Sequence, residues 1–221
     1  MQRAVDVDAV LEAAYFGVAE RANGIVAPGL IGHREKLLGD PVPNVEEARA
    51  LLAEAGHPDG FSCTVDILNK TERLSAAQVI QANLAEIGIE VQINQHDSGT
   101  FWVLGSEADG DQWKNVQLIL QRFSMQPDPS FATAWFTPEQ IGVWNWERFR
   151  SPEFGELHQQ TMITTDAAER DRMYKRMQDL MEESGAYVFL THETNGVIYR
   201  DTIVPALLPD ANVVLSEFRP A

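Results

Sequence analysis

Residues 62–95 constrain the fold more than any other stretch. "SCTVDIL" alternates apolar with polar residues, "SAAQVIQANLAEIG" places Val79, Ile80, Leu84 and Ile87 on one helical stripe, and in "IEVQINQ" Ile89, Val91 and Ile93 alternate with polar residues. Gly88 stands where that helix has to stop. A helix between two strands carries the chain back to the end it started from, so the strands run parallel with a right-handed crossover. The βαβ unit makes the class α/β, with helices laid against a small mixed sheet.

The helices on either side announce themselves by their ends. In "NVEEARALLAEAGHPDGF" Asn44 and Glu47 have capping-box spacing, Val45, Ala48, Leu51, Leu52 and Ala55 form a stripe, and Gly56 is placed for a left-handed C-terminal residue. Ser151 with Pro152 opens another helix, and Asp166 with Glu169 opens the longest, whose apolar stripe is Tyr174, Met177 and Met181. The opening "MQRAVDVDAVLEAAYFGVAERA" is helical in period almost from its first residue. Between them, "NGIVAPGLIGHREKLLGDPVP" holds four glycines and three prolines and reads as a long irregular connection. "NVQLILQRF" predicts a third strand, "AYVFLTH" and "GVIYR" two more, and "VVLSEF" a last short run. Loops of such length inside one domain serve function or cover another domain.

Composition excludes several functions. The 221 residues carry 33 acidic against 17 basic side chains, a net charge of −16, and that field repels nucleic acid and anionic membrane surfaces. Cys63 is the sole cysteine, set on a strand as a small apolar side chain, so neither an internal disulfide nor a cysteine metal site is expected. No apolar run reaches the roughly 18 residues of a membrane span. The chain has no nucleotide-binding glycine motif and no GxSxG elbow. "THETNG" puts His192 beside Glu193 without the second histidine of a metalloprotease helix. A stand-alone hydrolase built on His192 and Glu193 therefore stands only as an alternative, and no catalytic residue, metal or cofactor is expected.

All five tryptophans fall between residues 101 and 154, with Phe101, Phe123, Phe131, Phe136, Phe149 and Phe154. Such a concentration packs a core around loops, or it lines a cleft for a small organic ligand. It could also meet another protein, as in a pure interaction domain. Within the window Arg122 and Asn145 are the polar residues best set to orient a ligand, whereas Arg148 and Arg150 are expected to face solvent.

The order of these pieces resembles the C-terminal half of the family 5 extracellular solute-binding proteins, the dipeptide- and oligopeptide-binding components of ABC importers. The similarity is carried by "RAVDVDAVLEAAYFGVAERANGIVAPG", by the "ALLAEAGHPDGF" signature, by "QANLAEIGIEVQIN", by "PDPSF", and by "VWNWERFRSPEFGEL" followed by "DAAERDRMYKRMQDLMEE". It implies one lobe of a periplasmic-binding-protein clamshell, residues 1–204, and a tail, 205–221, that returns to the other lobe. On this resemblance the chain is a fragment without the export segment of a periplasmic or otherwise extracytoplasmic, monomeric protein. Its partners are a peptide-like or other small solute and a membrane permease. Arg122, Phe123, Met125, Asn145 and Trp146 are the expected solute contacts. Met125 occupies the position where peptide-binding members carry an aspartate for the peptide's amino group, and a methionine supplies no charge for that pairing. Arg122 replaces a tryptophan common in the family and is suited to a carboxylate or another anion.

Overall fold

The computed structural model describes residues 1–124, 126–193, 196–208 and 212–221. The chain opens with α1 (Val7–Tyr15), capped by Asp6 Oδ1, which accepts from the Ala9 N–H at 3.0 Å. A two-residue strand β1 (Glu20–Arg21) leads into the long irregular connection and then α2 (Val45–Glu54). The expected βαβ unit follows as β2 (Phe61–Leu68), α3 (Thr71–Ala85) and β3 (Ile89–His96). β2 and β3 are parallel and in register from Phe61↔Ile89 to Leu68↔His96.

After α4 (Ser98–Phe101), the third strand β4 (Leu118–Leu120) pairs parallel to the other edge of β2, giving the order β3-β2-β4. The short helix α5 (Ser130–Ala134) is followed by α6 (Pro152–Ile163) and α7 (Ala167–Glu183). β5 (Thr191–His192) returns to pair antiparallel with β1. A terminal hairpin joins β6 (Ile203–Val204) to β7 (Arg219–Pro220). That hairpin straddles the 204/205 boundary expected between lobe and tail.

Among the described residues there are two larger apolar cores and a smaller cluster of Phe101, Leu104 and Trp146. In the first, α1 and α3 cover the sheet, and Val10, Ile67, Ala77 and Ile89 are fully buried. Burying a side chain such as Ile67 contributes about 1.5–3 kcal/mol. The second gathers Phe154 of α6 with Tyr174, Met177 and Met181, the stripe expected of α7, all without exposed surface.

The cap side chains bond as the sequence predicts, but neither Glu47 nor Glu169 returns a bond to its cap N–H. Asn44 Oδ1 accepts from the Glu47 N–H at 3.0 Å, but the Glu47 carboxylate pairs with Arg3 at 2.8 Å instead of closing the box. At the other end Gly56 has φ +88°; its N–H donates to Ala53 O, and that of His57 to Leu52 O, the paired bonds of a Schellman stop. The stripe of α2 is only partly used: Ala48 is buried, while Leu51 is half exposed.

The late strands are shorter than expected. "AYVFLTH" keeps only Thr191–His192 as strand, and "GVIYR" forms none over its described residues, with Ile198 and Tyr199 exposed. "VVLSEF" contains a 3-10 turn at Leu215–Glu217. Alternation gives a strand only where a neighbouring edge supplies the ladder bonds, and these segments have little edge within reach.

Candidate functional site

β4 stops at Leu120, and residues 121–124 follow without regular structure. Opposite them run residues 185–193, held by the β1–β5 pairing, and the loop at 22–30. Between these walls lies a cleft of about 1170 Å³, a little above the usual size of small-molecule sites. Phe123, Phe136, Trp113, Trp146, Tyr187 and Phe189 give it an aromatic lining.

One wall carries a four-residue polar cluster centred on Glu193. Oε1 of Glu193 accepts from Arg73 Nη2 at 2.6 Å and from Tyr15 Oη at 2.8 Å, and Oε2 accepts from Arg122 Nη1 at 2.6 Å. Burial alone would raise the Glu193 pKa, but hydrogen bonds from Arg122 and Tyr15 and the charges of both arginines bring it below the usual carboxylate value. Burial, aided by the bond to Glu193, pushes the Tyr15 phenol up to about 12, against the opposing charge of Arg73. Two guanidinium groups hydrogen-bond one carboxylate here, and the Glu72 charge also acts on Tyr15 and Arg122. Arg122 is the exposed member, with more than half its side-chain surface open. Among the described residues it hydrogen-bonds through Nη1 alone.

A second polar feature sits at Glu147. Its Oε1 accepts from Gln121 Nε2 at 3.2 Å, whereas Oε2 and the Tyr187 hydroxyl are closed to solvent without a hydrogen-bond partner. Both residues line the cleft. Burial raises the pKa of each, and the Glu147 charge adds to the rise at Tyr187.

The expected site residues have different fates. Arg122, Phe123 and Trp146 all line the cleft. Phe123 packs edge-on against Phe136 with ring centroids 4.9 Å apart, and the Trp146 indole N–H donates to Val143 O at 2.9 Å. Asn145 does not line it. It is fully buried: its amide donates to the carbonyls of Phe136, Thr137 and Phe149, and its oxygen accepts from the Phe149 N–H. Its polarity serves the 136–149 loop. Met125 lies outside the described residues.

Arg148, expected in solvent, lies 3.7 Å over the Trp113 ring and pairs with Glu107 at 2.8 Å, because its φ of +54° turns it back across the loop. The adjacent His192 and Glu193 make no hydrogen bond to each other: Glu193 is held by the two arginines and Tyr15, and His192 Nε2 is buried without a partner. Burial, with His33 adding like charge, depresses the His192 pKa to about 4. Among the described residues no cluster of three or more His, Cys, Asp or Glu side chains is arranged to hold a metal ion, and no helix is long and apolar enough to cross a membrane. Sequence reasoning missed Arg73, Tyr15 and Glu147 as parts of the site. Glu147 alone had a local signal, as a carboxylate inside the aromatic run "VWNWERF".

This fold and cleft belong to a known class. The chain is a member of the bacterial extracellular solute-binding proteins of family 5: the profile described as "family 5 Middle" matches residues 1–142. It is 30% identical over 200 residues to the glutathione-binding protein GsiB of Pectobacterium atrosepticum, covering 86% of this chain and 37% of that protein. It is 27% identical over 197 residues to the dipeptide-binding protein of Escherichia coli K12, covering 86% of this chain and 36% of that protein. In three dimensions it matches the oligopeptide-binding protein AppA of Bacillus subtilis, solved with a nonapeptide, at a TM-score of 0.84 and 18% identity, over 100% of this chain and 46% of that one. The chain thus spans less than half the length of each of these relatives. The relatives are binding proteins, and the fold is the α/β lobe expected.

Proposed function

We propose that the chain is a ligand-binding lobe of an ABC-importer substrate-binding component, which captures a peptide-like or other small solute outside the cytoplasm and passes it to a membrane permease. The role is binding, not catalysis. Arg122 carries this reading: it is a half-free guanidinium at the aromatic cleft, within a chain whose net charge is −16. Such a group suits a carboxylate or other anionic group of the solute. Phe123 and Trp146 supply apolar wall beside it, and Met125 remains a proposed contact. Asn145 is proposed to hold the wall's shape. Relatives named for glutathione and for dipeptides favour a solute of that size and charge.

A two-lobed parent also accounts for the exposed apolar residues Ile198, Leu207, Leu208, Val213 and Leu215 near the end of the chain, which would pack against the second lobe. Mass spectrometry of small molecules copurifying with the two-lobed protein, followed by calorimetry on the compound found, tests the proposal. Arg122→Ala is expected to weaken that compound by roughly tenfold or more, as for loss of a charge-assisted hydrogen bond. Unchanged affinity removes Arg122 from the site. A parent that retains and binds no small molecule overturns the reading.

A further inference from the structure

We propose that Glu147 is the cation-binding group of the cleft, taking a protonated nitrogen of the solute, an ammonium or a guanidinium. The inference rests on the solute-binding reading above and adds a second charged group to the solute, opposite in sign to the one assigned to Arg122.

The observation behind it is an exception to how this chain treats its other enclosed acids. Asp179 and Glu182 pair with Arg34 at 2.8 and 2.7 Å, and Glu193 with Arg73 and Arg122 at 2.6 Å each. Asp66, inside the sheet, has His96 Nε2 at 2.7 Å and the Asn94 amide at 3.2 Å. Glu147 has one long hydrogen bond from Gln121 and no cation. The nearest guanidinium in sequence, Arg148, is committed to Trp113 and Glu107. A carboxylate oxygen closed to water without a donor destabilises the fold that holds it, so it persists where function supplies the missing partner. Tyr187, whose hydroxyl is likewise closed off without a partner, offers a second acceptor. An ammonium, with three N–H donors, can serve the open Glu147 oxygen and still reach other acceptors of the cleft. The aromatic walls exclude water and thereby strengthen the pairing.

The test uses the two-lobed parent protein and calorimetry with defined probes: glutathione, alanyl-alanine, and the N-acetylated form of each. The proposal expects the free-amine form to bind wild-type protein roughly thirtyfold more tightly than its N-acetyl counterpart, and Glu147→Gln to lose that discrimination. The same substitution is expected to raise the thermal midpoint of the ligand-free protein, because it removes an uncompensated buried charge. If free-amine and N-acetyl probes bind wild type equally, or Glu147→Gln keeps the preference, the assignment of Glu147 is wrong while solute binding stands. If no probe binds in either form, the peptide-like solute reading falls, and this inference with it. The comparison of probe forms on wild-type protein decides the matter even if the variant does not fold.

Discussion

Asn145 and Glu193 illustrate how a polar side chain's partners decide its role. With four backbone groups bonded to one buried carboxamide, Asn145→Ala leaves the Phe136 and Phe149 carbonyls and the Phe149 N–H without partners, while the Thr137 carbonyl keeps the Gln140 N–H. The expected loss is about 2–4 kcal/mol of stability, seen as a lower urea midpoint at unchanged slope. His192 gives a pH-dependent term with a definite sign. Its folded pKa of about 4 lies below the ordinary 6.5, so its contribution is intact above pH 6.5 and is lost as the pH falls from 6.5 toward 4, where the unfolded chain binds the extra proton. Thermal midpoints across that range are expected to fall less steeply in His192→Gln; parallel curves would remove His192 as the source. At this scale the sequence was least legible. The Glu193 cluster draws on positions 15, 73, 122 and 193, and no local pattern joins residues that far apart. Arg122 could be singled out because it stands at a strand end among aromatics, whereas Arg73 on α3 resembled any solvated helix residue.

Elements were far more legible, because what defines them is local. Asp6, Asn44, Ser151 and Asp166 each accept from an N–H three residues on, bonds that depend on spacing alone. Asn44→Ala is accordingly expected to cost about 1 kcal/mol, measurable in the same denaturation series. Gly60 has more at stake. Its φ is +78°, and a Cβ there would stand 1.8 Å from the Gly88 carbonyl oxygen, where the starts of β2 and β3 meet backbone to backbone. Gly60→Ala combines a left-handed penalty with a main-chain collision, and loss of folded protein at 37 °C, read by circular dichroism, is expected. The strands that misled the reading, "AYVFLTH" and "GVIYR", fail for the complementary reason: a strand needs an edge to pair with, and the sequence of the strand itself does not say whether one is near.

At the scale of the molecule, the βαβ unit, the apolar stripe of α7 and the family were all readable, since periodicity and ordered motifs survive without long-range information. The cleft was readable only as a concentration of aromatics, and the structure divides these among the second core, a smaller cluster of Phe101, Leu104 and Trp146, and the cleft wall. Acid is expected to undo the ion pairs that hold the walls. Hydrogen bonds from Arg170, Ser130 and Tyr174 outweigh the effect of burial and keep Asp128 well below the usual carboxylate range, and Glu193 is lowered as well. Both contributions are present above the ordinary carboxylate values and are lost as the pH falls through the depressed ones. Midpoints measured below pH 4 should therefore drop further in wild type than in a Glu193→Gln protein.

The apolar strip near the end of the chain also bears on how the isolated lobe behaves as a colloid. Ile198 is fully exposed and Leu215 three-quarters so, on a body whose charge of −16 keeps copies apart. That repulsion reaches about 10 Å at 0.1 M salt and only about 3 Å at 1 M, while attraction between apolar strips is not screened. Light scattering from the lone chain should consequently climb as sodium chloride is raised. In the two-lobed parent proposed above, where the second lobe would cover the strip, scattering should stay flat over the same range.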